Sequence, residues 1–228
     1  MNLYNPFVLF RHQLAQTSHR GLLRPAGAFF STPPAEPDAA VADSPDHYHL
    51  SVPSVEDMES LGRSLAGLVD FPSSGDVIFL FGDLGVGKTA LTRSIIRTLS
   101  CDPELEVPSP SYLLSQMYQI VKLSEDDLDD VLDLHHLDLY RLEDSPQQRT
   151  SAAQLKHILD LKNVFENEVA IVEWPDRLHR KEWPASRLDI HIEYDKTNSD
   201  PSLSPRLVRL LPHGELWKHR LRESEEEN

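Results

Sequence analysis

Asp76-Val77-Ile78-Phe79-Leu80-Phe81 runs directly into Gly82-Asp83-Leu84-Gly85-Val86-Gly87-Lys88-Thr89, and this stretch decides the fold. Its consecutive apolar residues, Val77 to Leu80, have the pattern of a strand buried on both faces, as parallel strands between helix layers are. The loop that follows satisfies G-x-x-x-x-G-K-[ST], and Lys88 to about Leu99 reads as the helix that such a loop requires. Its glycines let backbone N–H groups turn towards phosphate oxygens, and the helix N-terminus adds a positive partial charge. The pattern implies a nucleoside triphosphate held by Asp83, Leu84, Gly85, Val86, Gly87, Lys88 and Thr89. Lys88 is expected at the β- and γ-phosphates, and the Thr89 hydroxyl on Mg²⁺.

Working outward, Ser54-Val55-Glu56-Asp57 followed by Met58, Leu61, Leu65 and Leu68 predicts a helix with acidic residues in its first turn. Strands are expected at Val131 to Tyr140, Glu168 to Trp174, Arg187 to Tyr194 and Arg206 to Leu211, with a helix over Gln154 to Phe165. Alternating strands and helices predict an α/β protein, a three-layer P-loop NTPase fold with a largely parallel sheet. The domain is placed at 54–215. A Pro-, Ala-, Asp- and Ser-rich stretch at 36–53 reads as a linker, and 216–228 as a disordered acidic tail.

The formal net charge is −15, from 22 basic and 37 acidic residues, which opposes direct attraction to a nucleic-acid backbone. Residues 1–35 differ from the rest: they hold Arg11, Arg20 and Arg24 and no carboxylate. That composition suits an organellar import leader, mitochondrial first and plastid as the alternative, with a plain disordered terminus as the competing reading. A fusion of residues 1–35 to a fluorescent reporter separates them, and a diffuse cytosolic signal rejects import. Cys101 is the sole cysteine, so the chain cannot form an internal disulfide or a cysteine-based zinc site. No apolar run approaches a membrane span.

Guanine-specific proteins carry an N-K-x-D or T-K-x-D element, which this chain lacks; adenine, and hence ATP, is favoured. A second acidic residue is needed near the metal, and strand ends are its natural place. Asp138, in His136-Leu137-Asp138-Leu139-Tyr140-Arg141, and Glu173, in Val172-Glu173-Trp174-Pro175, both qualify.

With Ser109-Pro110-Ser111-Tyr112 between the loop and these two elements, the chain resembles the TsaE (YjeE) family of tRNA threonylcarbamoyladenosine biosynthesis from about Ser54 to Leu211. The resemblance implies an ATP hydrolase that energises a TsaD-like partner, with a TsaB-like subunit, and meets tRNA only indirectly. It implies catalytic roles for Lys88, Asp138 and Glu173, with Thr89 and Glu173 as Mg²⁺ ligands and Asp138 supporting the metal site and a mobile segment. Ser109 to Tyr112 resembles a switch loop whose Ser111 hydroxyl senses the γ-phosphate. Trp174 is implied beside the nucleotide, and Arg206 occupies a position where relatives can place a basic residue near it. Met58 stands where a threonine often helps form the pocket, so a side-chain hydrogen bond is expected to be missing there. The stretch Val121 to Asp133 is expanded and acidic.

Two other functions compete. A small-molecule kinase would need an acceptor pocket and an arginine-bearing lid, and no lid segment is evident. A nucleotide-dependent binding module would keep its function when hydrolysis is abolished. Ser124 to Asp130 lacks the glycine and glutamate spacing of a calcium loop, and His135 and His136, adjacent on a strand, face opposite ways. His136 is read as structural; Arg93, Arg97 and Arg141 are read as exposed arginines.

Overall fold

The computed structural model describes residues 47–70, 75–122, 130–142, 155, 159–195 and 205–226. The leader, residues 36–46 and the acidic run 124–129 lie outside them. Strands are β1 (Tyr48–Val52), β2 (Val77–Phe81), β3 (Ser115–Lys122), β4 (Asp130–Asp138), β5 (Val169–Glu173), β6 (Arg187–Tyr194) and β7 (Arg206–His213). Helices are α1 (Val55–Ala66), α2 (Lys88–Leu99), α3 (Leu161–Asn167) and α4 (Glu215–Glu226), with short 3₁₀ turns at Pro175–Arg177 and Arg180–Glu182. Among the described residues no helix is long and apolar enough to cross a membrane.

One seven-stranded sheet has the order β1-β7-β6-β2-β5-β4-β3. The central strands β6, β2, β5 and β4 are parallel, and β1, β7 and β3 add antiparallel edges. Strand alternation divides the core between the two faces. Ile78, Leu80, Leu134, Ile171 and Ile190 pack with Leu61 and Leu65 of α1, Leu91 and Ile95 of α2, and Trp217 and Leu221 of α4. Val77, Phe79, Leu137, Ala170 and Val172 pack with Leu161, Val164 and Phe165 of α3 on the other face. The three-layer α/β expectation holds, with the parallel part confined to the centre.

The first helix starts where its chemistry dictates. Ser54 Oγ accepts from the Asp57 amide at 3.1 Å, and Asp57 Oδ2 accepts from the Ser54 amide at 3.2 Å, a reciprocal cap. α1 then lies close against α2 because Gly62 has no side chain. A Cβ there would sit 2.5 Å from Ser94 Cβ. Gly62→Ala is therefore expected to cost about 1–3 kcal/mol through overpacking, read as a lower denaturation midpoint at unchanged m-value.

Four readings need correction. The linker assigned to 36–53 contains β1, whose Tyr48, Leu50 and Val52 alternate inward and pair with β7; the helix-breaking composition before it hid this short alternation. The tail assigned to 216–228 is mostly α4, because Trp217 and Leu221, four residues apart, form a buried stripe within a charged sequence. The helix expected over 154–165 is interrupted: Leu155 is helical, residues 154 and 156–158 lie outside the described residues, Leu159 and Asp160 are not helical, and α3 begins at Leu161, where the Asp160 side chain accepts from the Asn163 amide at 3.2 Å as an N-cap. Finally, the flanks of the expanded stretch Val121 to Asp133 belong to the antiparallel pair β3–β4, and β3 itself had no predicted strand.

Candidate functional site

The glycine loop leaves the C-terminal end of β2, and α2 begins at its far end with Gly87 as N-cap in the left-handed region at φ 114°. The ends of β4 and β5 lie on either side of this point in the sheet. Asp138 pairs in register with Glu173, and alternation turns His136, Asp138 and Glu173 to the face that carries α2. The resulting cleft, about 380 Å³, is lined by loop residues with Ser109, Ser111, Asp138, Arg141, Glu173 and Trp174.

Lys88 is almost fully buried, at 4 % exposure. Its Nζ donates to the carbonyls of Gly82 at 2.6 Å and Asp83 at 2.8 Å, and lies 3.8 Å from the centre of the Trp174 ring. The lysine is a pinned cation that holds the loop's shape. Burial pushes its pKa below the ordinary lysine value, opposed by Glu173, Asp138, Asp83 and Asp176. Trp174 is itself unusual: a bulky residue at φ 60°, in the left-handed region. Such a conformation costs about 1–2 kcal/mol, and here it sets the ring against Lys88 and, at 5.0 Å between centroids, Tyr140.

Glu173 is 2 % exposed, and its two oxygens face different ways. Oε2 accepts from Thr89 Oγ1 at 3.0 Å. Oε1 is 2.9 Å from His136 Nε2, with the Thr92 hydroxyl farther off at 3.5 Å. Thr89 and Glu173, separated by 84 positions in sequence, thus present hard oxygen donors side by side at the start of α2. That donor set fits Mg²⁺, which takes one or two protein oxygens and completes its shell with water and phosphate. With several carboxylates around a single buried lysine, a polyphosphate would be repelled unless a divalent cation came with it.

Asp138, expected to support the metal site and a mobile segment, is held to that segment. Its Oδ2 accepts from Ser109 Oγ at 2.6 Å and its Oδ1 from the Tyr140 amide at 3.1 Å. Asp138 therefore ties the Ser109–Tyr112 loop to β4. Ser111 lines the cleft. The loop's exposed Tyr112 stacks under Arg141, whose guanidinium is 4.0 Å from the ring centre, so Arg141 belongs to the cleft.

Arg206 is not among the cleft-lining residues. It stacks on Tyr194, 5.4 Å from the ring centre, and Tyr194 donates its hydroxyl proton to the Gly85 carbonyl at 3.0 Å. Its reach to the loop is indirect, through that tyrosine. Met58 is buried under the loop, its terminal methyl 3.5 Å from where a Gly87 Cβ would stand, and so packs where a threonine would hydrogen-bond. Arg93 and Arg97 are spent on the carbonyls of Val107 and Leu105.

Sequence reasoning missed Thr92 and undervalued His136. Both signals were present: Thr92 is one helical turn beyond Thr89, and His136 is two residues before Asp138 on the same strand face.

A strand, a phosphate-type loop and a helix with a threonine–glutamate pair at its start define a P-loop NTPase-like fold. Comparison with known proteins narrows this. A family model described as threonylcarbamoyl adenosine biosynthesis protein TsaE matches residues 52–202. The chain is 32 % identical over 145 residues to "tRNA threonylcarbamoyladenosine biosynthesis protein TsaE" of Mycobacterium bovis, covering 63 % of this chain and 77 % of the relative. It is 31 % identical over 160 residues to the protein of that name from Streptomyces coelicolor, covering 70 % and 93 %. The crystal structure of YdiB from Bacillus subtilis superposes with a TM-score of 0.54 at 22 % identity, covering 79 % of this chain and 95 % of that one. This chain belongs to the TsaE family, whose members take part in threonylcarbamoyladenosine biosynthesis on tRNA.

Proposed function

We propose that the protein is a Mg²⁺-dependent ATPase that supports formation of N6-threonylcarbamoyladenosine on tRNA by energising a TsaD-like subunit, together with a TsaB-like subunit. The observation that carries this reading is the Thr89–Glu173 contact at 3.0 Å beside the buried Lys88. The loop amides and Lys88 would hold the phosphates, while Thr89 and Glu173 would hold Mg²⁺, which when bound would offset charge on the phosphate oxygens. Glu173, which lines the cleft, would also orient the attacking water.

The Ser109–Asp138 bond supports coupling to a partner. The loop carrying Ser111 and the exposed Tyr112 is tied to β4 beside the cleft by Ser109 and by the Tyr112–Arg141 stack, which supports a readout of the γ-phosphate at the surface. The net charge of −15 fits a chain that meets tRNA through partners. We place it in the mitochondrion, on the composition of residues 1–35.

The deciding experiment is affinity capture of the tagged full chain in Mg²⁺-ATP and in nucleotide-free buffer, followed by mass spectrometry. A TsaD-like protein recovered preferentially with ATP is the expected result. Its absence from both captures, with phosphoryl transfer from ATP to a metabolite by the purified protein, would replace this reading by that of a kinase.

A further inference from the structure

We propose that His136 is a positioning residue that sets the orientation of the Glu173 carboxylate, holding one oxygen inward so that the other is presented beside Thr89. The inference rests on the reading of Glu173 and Thr89 as the Mg²⁺ site and adds to it the group that aims the site.

The geometry is local and one-sided. His136 and Glu173 sit on neighbouring parallel strands, with His136 in register with Ile171, so the two side chains are same-face diagonal neighbours. Both are sealed from solvent, at 0 % and 2 % side-chain exposure. Nε2 lies 2.9 Å from Oε1; the other group near that oxygen, the Thr92 hydroxyl, is 3.5 Å away and 3.2 Å from the Lys88 carbonyl. The imidazole is therefore the firm hold on Oε1.

Hydrogen bonding also assigns the tautomer. Nδ1 is buried and has no hydrogen-bond partner among the described residues. A proton on Nε2 lets the ring donate to the carboxylate and leaves only a lone pair unmet. A proton on Nδ1 would instead bury an unpaired donor and set a lone pair against Oε1, which is costlier. His136 thus acts on Glu173 as a donor. With that bond made, a rotation of the carboxylate that takes Oε2 away from Thr89 also breaks the contact with His136. Residues that orient metal ligands in this way typically matter about 10–100-fold for metal affinity or activity.

The test compares wild type, His136→Ala and His136→Gln, whose side-chain amide can return a donor near the Nε2 position. Binding of a fluorescent ATP analogue is measured in EDTA and across a Mg²⁺ titration, and phosphate release gives kcat and KM. For His136→Ala, the Mg²⁺-dependent gain in affinity and kcat are each expected to fall about 10–100-fold, with affinity in EDTA within about twofold of wild type and KM changed less than kcat. His136→Gln should recover most of both losses. Equal loss of affinity in EDTA and in Mg²⁺, or no recovery with Gln, would reduce His136 to a packing residue and overturn the inference. Wild type that gains nothing from Mg²⁺ would instead fail at the earlier step, the metal reading of Thr89 and Glu173.

Discussion

Glu173→Gln is expected to lower ATP turnover about 100-fold or more while nucleotide still binds, because it removes a charge needed in the reaction without removing the phosphate cradle. The substitution keeps volume and shape, so the 2 % exposed site stays packed. Chemistry then works against it on both sides. The His136 proton requires an acceptor at the Oε1 position, so the Gln carbonyl oxygen settles there and the amide NH₂ is directed at Thr89. A donor then occupies the place where a hard cation needs an oxygen. Lys88 and the loop amides are untouched, so nucleotide affinity measured in EDTA is expected to change only a few-fold, while the Mg²⁺-dependent gain in affinity falls at least as far as in His136→Ala. Phosphate release and binding of a fluorescent analogue, measured on one preparation, check the two halves. A loss in kcat of less than about tenfold would remove Glu173 from the reaction, given that a positioned acid–base group is typically worth 10²–10⁴.

Trp217→Ala should destabilise the fold by about 3–5 kcal/mol, the usual range for deleting a large buried aromatic. Trp217 and Leu221 are wholly buried against the sheet, so α4 is part of the core despite its acidic composition. The ring also lies against the cation of an ion pair. Arg220 lies 5.2 Å from the Trp217 ring centre and donates from Nη1 to Asp76 Oδ1 at 2.6 Å, while Asp76 Oδ2 accepts from the Asp70 amide at 2.9 Å. Asp76 immediately precedes β2, the strand that delivers the phosphate loop.

Burial raises the pKa of Asp76 above the usual carboxylate value, a shift that the Asp70 amide and Arg220 only partly oppose. The folded state therefore holds this proton more tightly than the unfolded chain. Its contribution to stability is full below the unfolded pKa, about 3.9, and is lost as pH rises through the higher folded value. Trp217→Ala lets water reach Asp76 and should flatten that part of the profile. Urea denaturation of both proteins across pH 4–7 tests this, and a midpoint at neutral pH indistinguishable from wild type would make α4 an appendage after all.

Legibility tracked the range of the interactions responsible. The central strands β2, β5 and β6 were visible because burial on both faces, or strict alternation, leaves a dense local apolar pattern. α1 was visible because its cap and first turn lie within four residues. β1 and α4 were hidden for the opposite reason. Each makes sense only against a distant partner: β1 against β7, and α4 against the sheet and Asp76. Composition, averaged over a window, read the first as linker and the second as tail.

Within the site, the sequence by itself determined the phosphate loop from Gly82 to Thr89 and the two acidic residues competing for the metal, because each lies in a short contiguous motif with its own chemistry. It could not divide the work between Asp138 and Glu173, which depends on where each oxygen points. Tertiary structure set those directions: Asp138 turns its oxygens to Ser109 and Tyr140, and Glu173 turns one to Thr89 at the start of α2 and the other to His136. It also placed Arg206 outside the cleft and made Lys88 a buried cation under Trp174. The physical reason is directionality. A backbone loop carries its own geometry in its glycines, whereas a side chain's role is set by the partner that the fold brings within hydrogen-bonding distance.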